Sequence, residues 1–270
     1  MNGVRDMRVP KTLDMSCDMG ESFGPYTLGE DTRIMPFITS ASIACGFHGG
    51  DPLVMRHTVQ KAKEHGVSIG AHPGYPDLMG FGRRMLHTLP GEIEAYVLYQ
   101  MGALNAFART AGVSLNYVKP HGALYNHVAQ NEQAARELIH AIQSQDAPLL
   151  LYMLSGSLCS GMARAAGIEV IDEAFPDRGY LKDGSLAPRS VQGAVIHQVP
   201  EVCSRAVQLA IEGTIPALDG SNVPVKAGTL CVHGDTPGAW IMAREMSKAL
   251  QAKGIRIQAP SPGPQPGDQT

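Results

Sequence analysis

Residues Val118 to Asn126 read VKPHGALYN, and they deliver a cation and an imidazole, Lys119 and His121, where a short strand-like run gives way to a turn at Gly122. One residue separates the two, so on a regular strand their side chains share a face. Such a pair could offset developing negative charge and move a proton. The construction recurs along the chain, where short apolar runs end in CDMGES, CGFHGGD, AHPG, KPHG, FPDR or VHGD.

Four histidines, His48, His72, His121 and His233, each follow such a run and stand next to Gly or Pro-Gly. Glycine there lets the backbone approach a ligand or turn sharply. His57, His65, His87 and His140 lie in or at the ends of helical stretches and read as ordinary surface or core residues. Asp18 and Glu21, three residues apart, suit a general base and its partner or oxygen ligands for a cation. Read blandly, they are a cap and a solvated loop acid. With Asp18, the four histidines could bind a divalent metal, because imidazole and carboxylate suit Zn, Mn or Fe. The spacing matches neither HExxH nor a closed zinc motif. Lys119, Arg83, Arg84, Arg178 and Arg189 could hold a carboxylate or phosphate, although ordinary surface charge accounts for some of them. The chain has no GxxxxGK[ST], GxGxxG or CxxC.

The elements that must position these groups follow from hydrophobic periodicity. Strands are expected at Leu13 to Met19, Ile38 to Cys45, Val67 to Ala71, Asn116 to Val118, Pro148 to Leu154, Ile168 to Ala174 and Gly228 to Val232. Helices are expected from Asp51-Pro52 to Gly66 and over Pro90 to Ala111, Asn131 to Gln145, Gly156 to Ala166, Val199 to Glu212 and Thr236 to Lys253. Asp51 is a good helix N-cap and Pro52 a good first residue. The loop YPDLMGFGRR has the length and composition of a functional loop. About seven βα units with parallel strands result, with the polar clusters at the strands' carboxyl ends, where barrels and open sheets place their sites. A closed or nearly closed (β/α) barrel is the expected fold, and an open doubly wound sheet is the second choice.

At 270 residues, the chain suits one barrel domain over residues 1–259, with a Pro-, Gly- and Gln-rich tail at 260–270 expected to be disordered. A formal charge of -3 and a pI near 6.4 provide no electrostatic footprint for nucleic acid. No apolar run is long enough to span a bilayer, and the N-terminus lacks the apolar stretch of a signal peptide. Five cysteines without pairing motifs fit a reduced, cytoplasmic setting.

The stretches DMSCDMGESFGPYTLGED, ASIACGFHGGDP, GAHPGYPDLMGFGRR, YVKPHGALYN, EAFPDRGYLKDGSLAPRS and CVHGDTPGA run from Asp14 to Ala239. Together they resemble the LamB/YcsF family, whose members serve as the A component of the ATP-hydrolysing 5-oxoprolinase. The resemblance implies a seven-stranded TIM-like barrel of the glycoside hydrolase/deacetylase type. It also implies cleavage of 5-oxo-L-proline (pyroglutamate) to L-glutamate with hydrolysis of ATP, carried with Mg, and two partner subunits, B and C. Ser16 stands where the family commonly has Asn, Pro176 where it has Ala, and Gly50 where Ala is frequent. Asp18, Glu21, His48, Asp51, His72, Lys119, His121, Asp177, Arg178, His233 and Asp235 match the family motifs.

Two other readings stand beside this one. Fold analogy, a weak warrant for function, suggests a metal-dependent carbohydrate deacetylase. The clusters could also bind a small carboxylate without turning it over. From their shared place after the strands, Asp18, His48, His72, Lys119, His121 and His233 are expected to line one cavity at one end of the barrel. The missing P-loop, together with the partner subunits that the resemblance implies, leads to the expectation that the isolated chain is inactive or nearly so in ATP-coupled turnover.

Overall fold

The structure, a computed structural model, describes residues 12–261. The N-terminal residues read for a signal peptide, and the tail from residue 262 onward, lie outside them. In chain order the elements are β1 (Thr12–Met19), α1 (Asp31–Ile34), β2 (Ser40–Ala44), α2 (Pro52–His65), β3 (Ser68–His72), α3 (Glu92–Ala111), β4 (Leu115–Val118), α4 (Gly122–Gln130), α5 (Glu132–Gln143), β5 (Leu150–Leu154) and α6 (Leu158–Ala165). They continue with β6 (Val170–Ala174), α7 (Val199–Glu212), β7 (Thr214–Pro216), β8 (Asn222–Pro224), β9 (Thr229–Val232), α8 (Ala239–Ala252) and β10 (Arg256–Ile257).

Strands β1 to β6 and β9 form a parallel sheet that closes when β9 pairs with β1, Asp14 opposite Thr229 and Cys17 opposite Val232. The result is the expected seven-stranded TIM-like (β/α) barrel. Short β10 extends the sheet beside the first residues of β1, and β7 and β8 form a separate antiparallel hairpin. Among the described residues, no helix is long and apolar enough to cross a membrane.

The outer layer follows from sequence in the usual way. In α2, Asp51 Oδ1 accepts the backbone N–H groups of Leu53 and Val54 at 2.8 and 2.9 Å, Pro52 opens the helix, and Gly66 closes it in the left-handed region. Helix α3 turns Ile93, Val97, Met101, Leu104 and Ala108 toward the strands.

The inside of the barrel is unusually polar. Leu13, Met15, Cys17 and Met19 belong to the apolar core, while Asp14, Ser16 and Asp18 occupy the alternate positions of β1 and are also buried. Their hydrogen bonds tie β1 to its neighbours β2 and β9 inside the barrel. Ser40 donates to Asp14 Oδ1 at 2.8 Å, Thr229 donates to Ser16 at 2.9 Å, and the hydroxyls of Ser42 and Tyr117 meet at 3.1 Å. The Tyr117 and Tyr152 rings stack at 3.9 Å between centroids and fill this interior. Gly70 makes room for them, because a Cβ there would lie 2.1 Å from a carbon of the Tyr117 ring.

The short α1 and β10 were not expected, and two further features differ from expectation. Gly122 does not end ordered structure; it starts α4. His121 is extended, Gly122 takes φ +54, and the chain turns directly into a helix that buries Ala123, Leu124, Tyr125, Val128 and Ala129. Asn131 then ends α4 and caps α5 by accepting the Ala134 N–H, so no loop separates the two helices. The β7–β8 hairpin was also unexpected, since strands of three residues are too short to show a period.

Candidate active site

The carboxyl ends of the strands open into a cavity of about 450 Å³. Asp18, Glu21, His72, Lys119, His121, Arg178, His233 and Asp235 line it, together with Arg83, Tyr125, Phe175 and Arg189. Five of the six residues expected to converge are therefore on its wall. His48 is the exception: it is completely buried behind His121, with the two imidazoles stacked at 3.7 Å. Asp177 stands behind His233, and Asp51 is occupied as the cap of α2. Arg84 points away from the cavity into a forked pair with Asp77.

Lys119 and His121 follow β4 and join one network. Lys119 Nζ lies 2.7 Å from Asp18 Oδ1, 2.9 Å from Glu173 Oε1 and 3.0 Å from Cys231 Sγ. An ammonium has three hydrogens, and three partners surround this one. Lys119 is 2% exposed, so it is placed to hold Asp18 and balance buried charge, not to meet a ligand phosphate as a free cation. Burial would lower its pKa, but Asp18, Cys231 and Glu173 outweigh burial and hold it well above the usual lysine value. For Asp18, burial would raise the pKa, yet His72 and Lys119 hold it well below the carboxylate range. Burial pushes Glu21 well above that range, and the Asp18 charge adds to the effect. Two acids three residues apart are thus driven in opposite directions, which separates a charge-bearing role from a proton-bearing one.

The other side of Asp18 meets the histidines. Asp18 Oδ2 is 3.3 Å from His72 Nε2, which is 3.0 Å from His121 Nδ1. Glu21 Oε1 lies 3.5 Å from that nitrogen and 3.3 Å from His48 Nε2. Glu21, His48, His72 and His121 thus offer ligand atoms all within 4.8 Å of one another. The loop after β3 supports this group. Phe81 has φ +53, the one positive value among described non-glycine residues, and its carbonyl accepts a hydrogen bond from His121 Nε2 at 2.8 Å. A left-handed residue of this size costs roughly 1–2 kcal/mol, so the surrounding structure holds that carbonyl in place.

Across the cavity, His233 Nδ1 donates to Asp177 Oδ2 at 2.7 Å, and the ring lies against Phe175. This bond fixes the tautomer and leaves Nε2 as the basic nitrogen. Burial would raise the Asp177 pKa, but His233 and then Arg178 hold it below its usual value. Arg178 donates to the carbonyls of Ala194 and Ala187 at 3.0 and 2.8 Å, which pins the loop whose Ala187, Pro188 and Arg189 cover part of the cavity. Arg83 and Asp235 form a 2.6 Å ion pair at the rim.

Sequence reading missed Glu173, Phe175 and Tyr125. Glu173 shares its face of β6 with Ile171, which packs against Tyr117 and Tyr152 inside the barrel. An acid two residues beyond an inward-facing residue was therefore the available signal. Tyr125 belongs to the unforeseen α4.

Comparison with known proteins agrees with this architecture. The LamB/YcsF family model matches residues 13–264. A Syntrophobacter fumaroxidans protein, named as the A component of 5-oxoprolinase, is 54% identical over 246 residues, spanning 91% of this chain and 97% of that protein. A protein of the same name from Pyrococcus horikoshii is 49% identical, with 91% and 96% covered. The crystal structure of the lactam utilization protein from Thermus thermophilus superposes with a TM-score of 0.87 at 46% identity, covering 92% of this chain and 99% of that one. The chain belongs to the LamB/YcsF family.

Proposed function

We propose that the chain is the lactam-handling subunit of a 5-oxoprolinase and opens the ring of 5-oxo-L-proline to L-glutamate at the expense of ATP. The observation that carries this reading is the 54% identity to a relative named as a 5-oxoprolinase component, across nearly the full length of both chains. The cavity supplies chemistry that suits the reaction. A five-membered lactam resists water because amide resonance makes its carbonyl a poor electrophile. Transfer of the γ-phosphoryl group of ATP to the lactam oxygen makes the ring carbon attackable. Water then adds to that carbon, the C–N bond breaks as nitrogen takes a proton, and hydrolysis of the resulting acyl phosphate releases glutamate and phosphate.

In this scheme His233, oriented by Asp177, takes the proton from the attacking water. The His233 imidazolium so formed is suited to return that proton to the departing nitrogen. Arg189 and Arg83, on the cavity wall, are suited to meet the substrate carboxylate or the transferred phosphoryl group. Magnesium accompanies the nucleotide. The relatives' names mark each of them as one subunit of an assembly, and subunits B and C complete it in this reading.

The test is glutamate formation from 5-oxoproline, followed with ATP, Mg and the co-purified partner proteins, and repeated with the chain alone. Turnover is expected only in the complete mixture. Strong ATP-coupled turnover by the isolated chain would sink the multi-subunit reading. Release of acetate from acetylated sugars without ATP, with no glutamate formed in any mixture, would replace the lactam reading with the deacetylase one.

A further inference from the structure

The hydrogen bonds behind the histidine cluster decide which nitrogens carry protons. His72 Nδ1 lies 2.7 Å from the carbonyl oxygen of Lys119, and His121 Nε2 lies 2.8 Å from the carbonyl oxygen of Phe81. A carbonyl only accepts, so both nitrogens are N–H donors. In the neutral rings, the remaining nitrogens, His72 Nε2 and His121 Nδ1, therefore carry lone pairs. These two atoms face each other at 3.0 Å. Oxygens flank both ends of the pair, Asp18 Oδ2 at 3.3 Å from His72 Nε2 and Glu21 Oε1 at 3.5 Å from His121 Nδ1. Two lone pairs and two carboxyl groups are thus turned toward one another, and a cation bound there would take the place of the proton on Glu21.

We infer that His72 Nε2, His121 Nδ1, Glu21 and Asp18 form a binding site for one divalent transition-metal ion of the Zn, Mn or Fe class. Ligand atoms about 2.0–2.2 Å from such an ion stand roughly 3.0–3.5 Å apart around it, and the three neighbouring contacts along this row, 3.3, 3.0 and 3.5 Å, have that spacing. Two imidazoles and carboxylates select this class over Ca, which prefers oxygen alone. Carbonyls that take the far N–H of each ring fix its tautomer and aim its lone pair, as the outer partners of metal-bound histidines do. All four residues line the cavity, so the ion would keep a face open to it. His48 is not a ligand. Its ring is parallel to that of His121, at 2° and 3.7 Å, and one ion cannot lie in both ring planes. It serves as a wall that holds His121 in place.

The site does not depend on lactam chemistry, and its test measures binding. The full chain is stripped with chelator, then titrated with Co(II) and with Zn(II), following calorimetry, the visible spectrum of Co(II) and metal retained after desalting. One equivalent is expected to bind, and His72→Gln and His121→Gln are each expected to weaken binding by at least about a hundredfold. His233→Gln, outside the cluster, is expected to bind as wild type does. Circular dichroism checks that each variant folds. Nitrogen NMR of the wild-type imidazoles keeps the test decisive if the variants do not fold, because Zn(II) must shift His72 Nε2 and His121 Nδ1 and leave His233 unmoved. Absence of binding at about 100 μM metal, unchanged affinity in both Gln variants, or an NMR spectrum indifferent to Zn(II) would each overturn the site.

Discussion

Lys119 Nζ and Asp18 Oδ1, 101 residues apart in the chain, lie 2.7 Å from each other at the mouth of the barrel. The same ammonium touches Glu173 and Cys231, so three strands and the start of the α4 connection are tied at one buried charge. A surface ion pair of this length would contribute little. Here both partners are nearly inaccessible, and removing one leaves the other's charge uncompensated.

Lys119→Met should therefore destabilise the protein by about 3–5 kcal/mol, because Asp18 and Glu173 would be buried without a counter-charge. Urea denaturation of the isolated chain measures this. A loss below about 1 kcal/mol would show that water or a rearranged side chain replaces the ammonium. Lys119→Met, Asp18→Asn and the double variant form a cycle, and the double variant should be less damaged than the sum of the singles.

Gly70→Ala should cost more stability than a surface glycine replacement. The new methyl would stand 2.1 Å from the Tyr117 ring, which is itself stacked on Tyr152 and hydrogen-bonded to Ser42. Overpacking of this kind typically costs about 1–3 kcal/mol. A melting temperature equal to wild type would mean that the ring can move aside and that the stack is not the fixed filling of the barrel.

Much of this organisation was legible in the sequence. Six runs ending in polar clusters led to the barrel and to the wall of the cavity, because period-2 alternation and helix punctuation are local signals. What alternation could not decide was which face of β1 looked inward. Both faces of a barrel strand are buried, so Asp14, Ser16 and Asp18 have the pattern of an exposed face while lying inside. His48 read like its three counterparts, and only the packing of His121 against it removes it from the cavity wall. The α4 helix escaped because Gly122 normally argues for a break, and the left-handed turn that makes it a helix start depends on the Gly82 carbonyl nearby.

Asp14 offers a test of that polar interior. Thr39 and Ser40 donate to Oδ1, while Oδ2 is buried without a hydrogen-bond partner. Burial raises its pKa despite these bonds. An acid whose folded pKa is raised gives stability that is fully present below its unfolded value, about 3.9, and is lost as pH rises through the folded value. Asp14→Asn does not ionise. It should therefore compare most favourably with wild type at pH 8, and that relative advantage should shrink toward pH 4. A variant that loses more ground at pH 8 than at pH 4 would contradict the assignment.

Asp177 and His233 separate a catalytic dyad from a structural clamp. Asp177 accepts the His233 Nδ1 proton and also sits at the start of the loop that covers the cavity, where its carbonyl accepts the Ile196 N–H at 2.8 Å. In the catalytic reading, Asp177→Asn presents an amide to the imidazole and permits the wrong tautomer, with the proton on Nε2. With ATP and the partner proteins present, kcat should then fall by about 10²–10⁴ while KM stays within a few-fold. In the clamp reading, the loss would lie in stability alone, and activity per folded molecule would be unchanged. The pH dependence is also fixed in sign. Burial opposes ionisation of Asp177, but His233 prevails and its folded pKa is lowered. Its stabilising contribution is thus present above about 3.9 and is lost as pH falls through the folded value. The stability gap between wild type and Asp177→Asn should be widest near neutrality and close below pH 4. A fall in kcat that persists at pH 8 under conditions where both proteins are fully folded requires the dyad to act on the reaction; unchanged kcat there would return Asp177 to the loop it anchors.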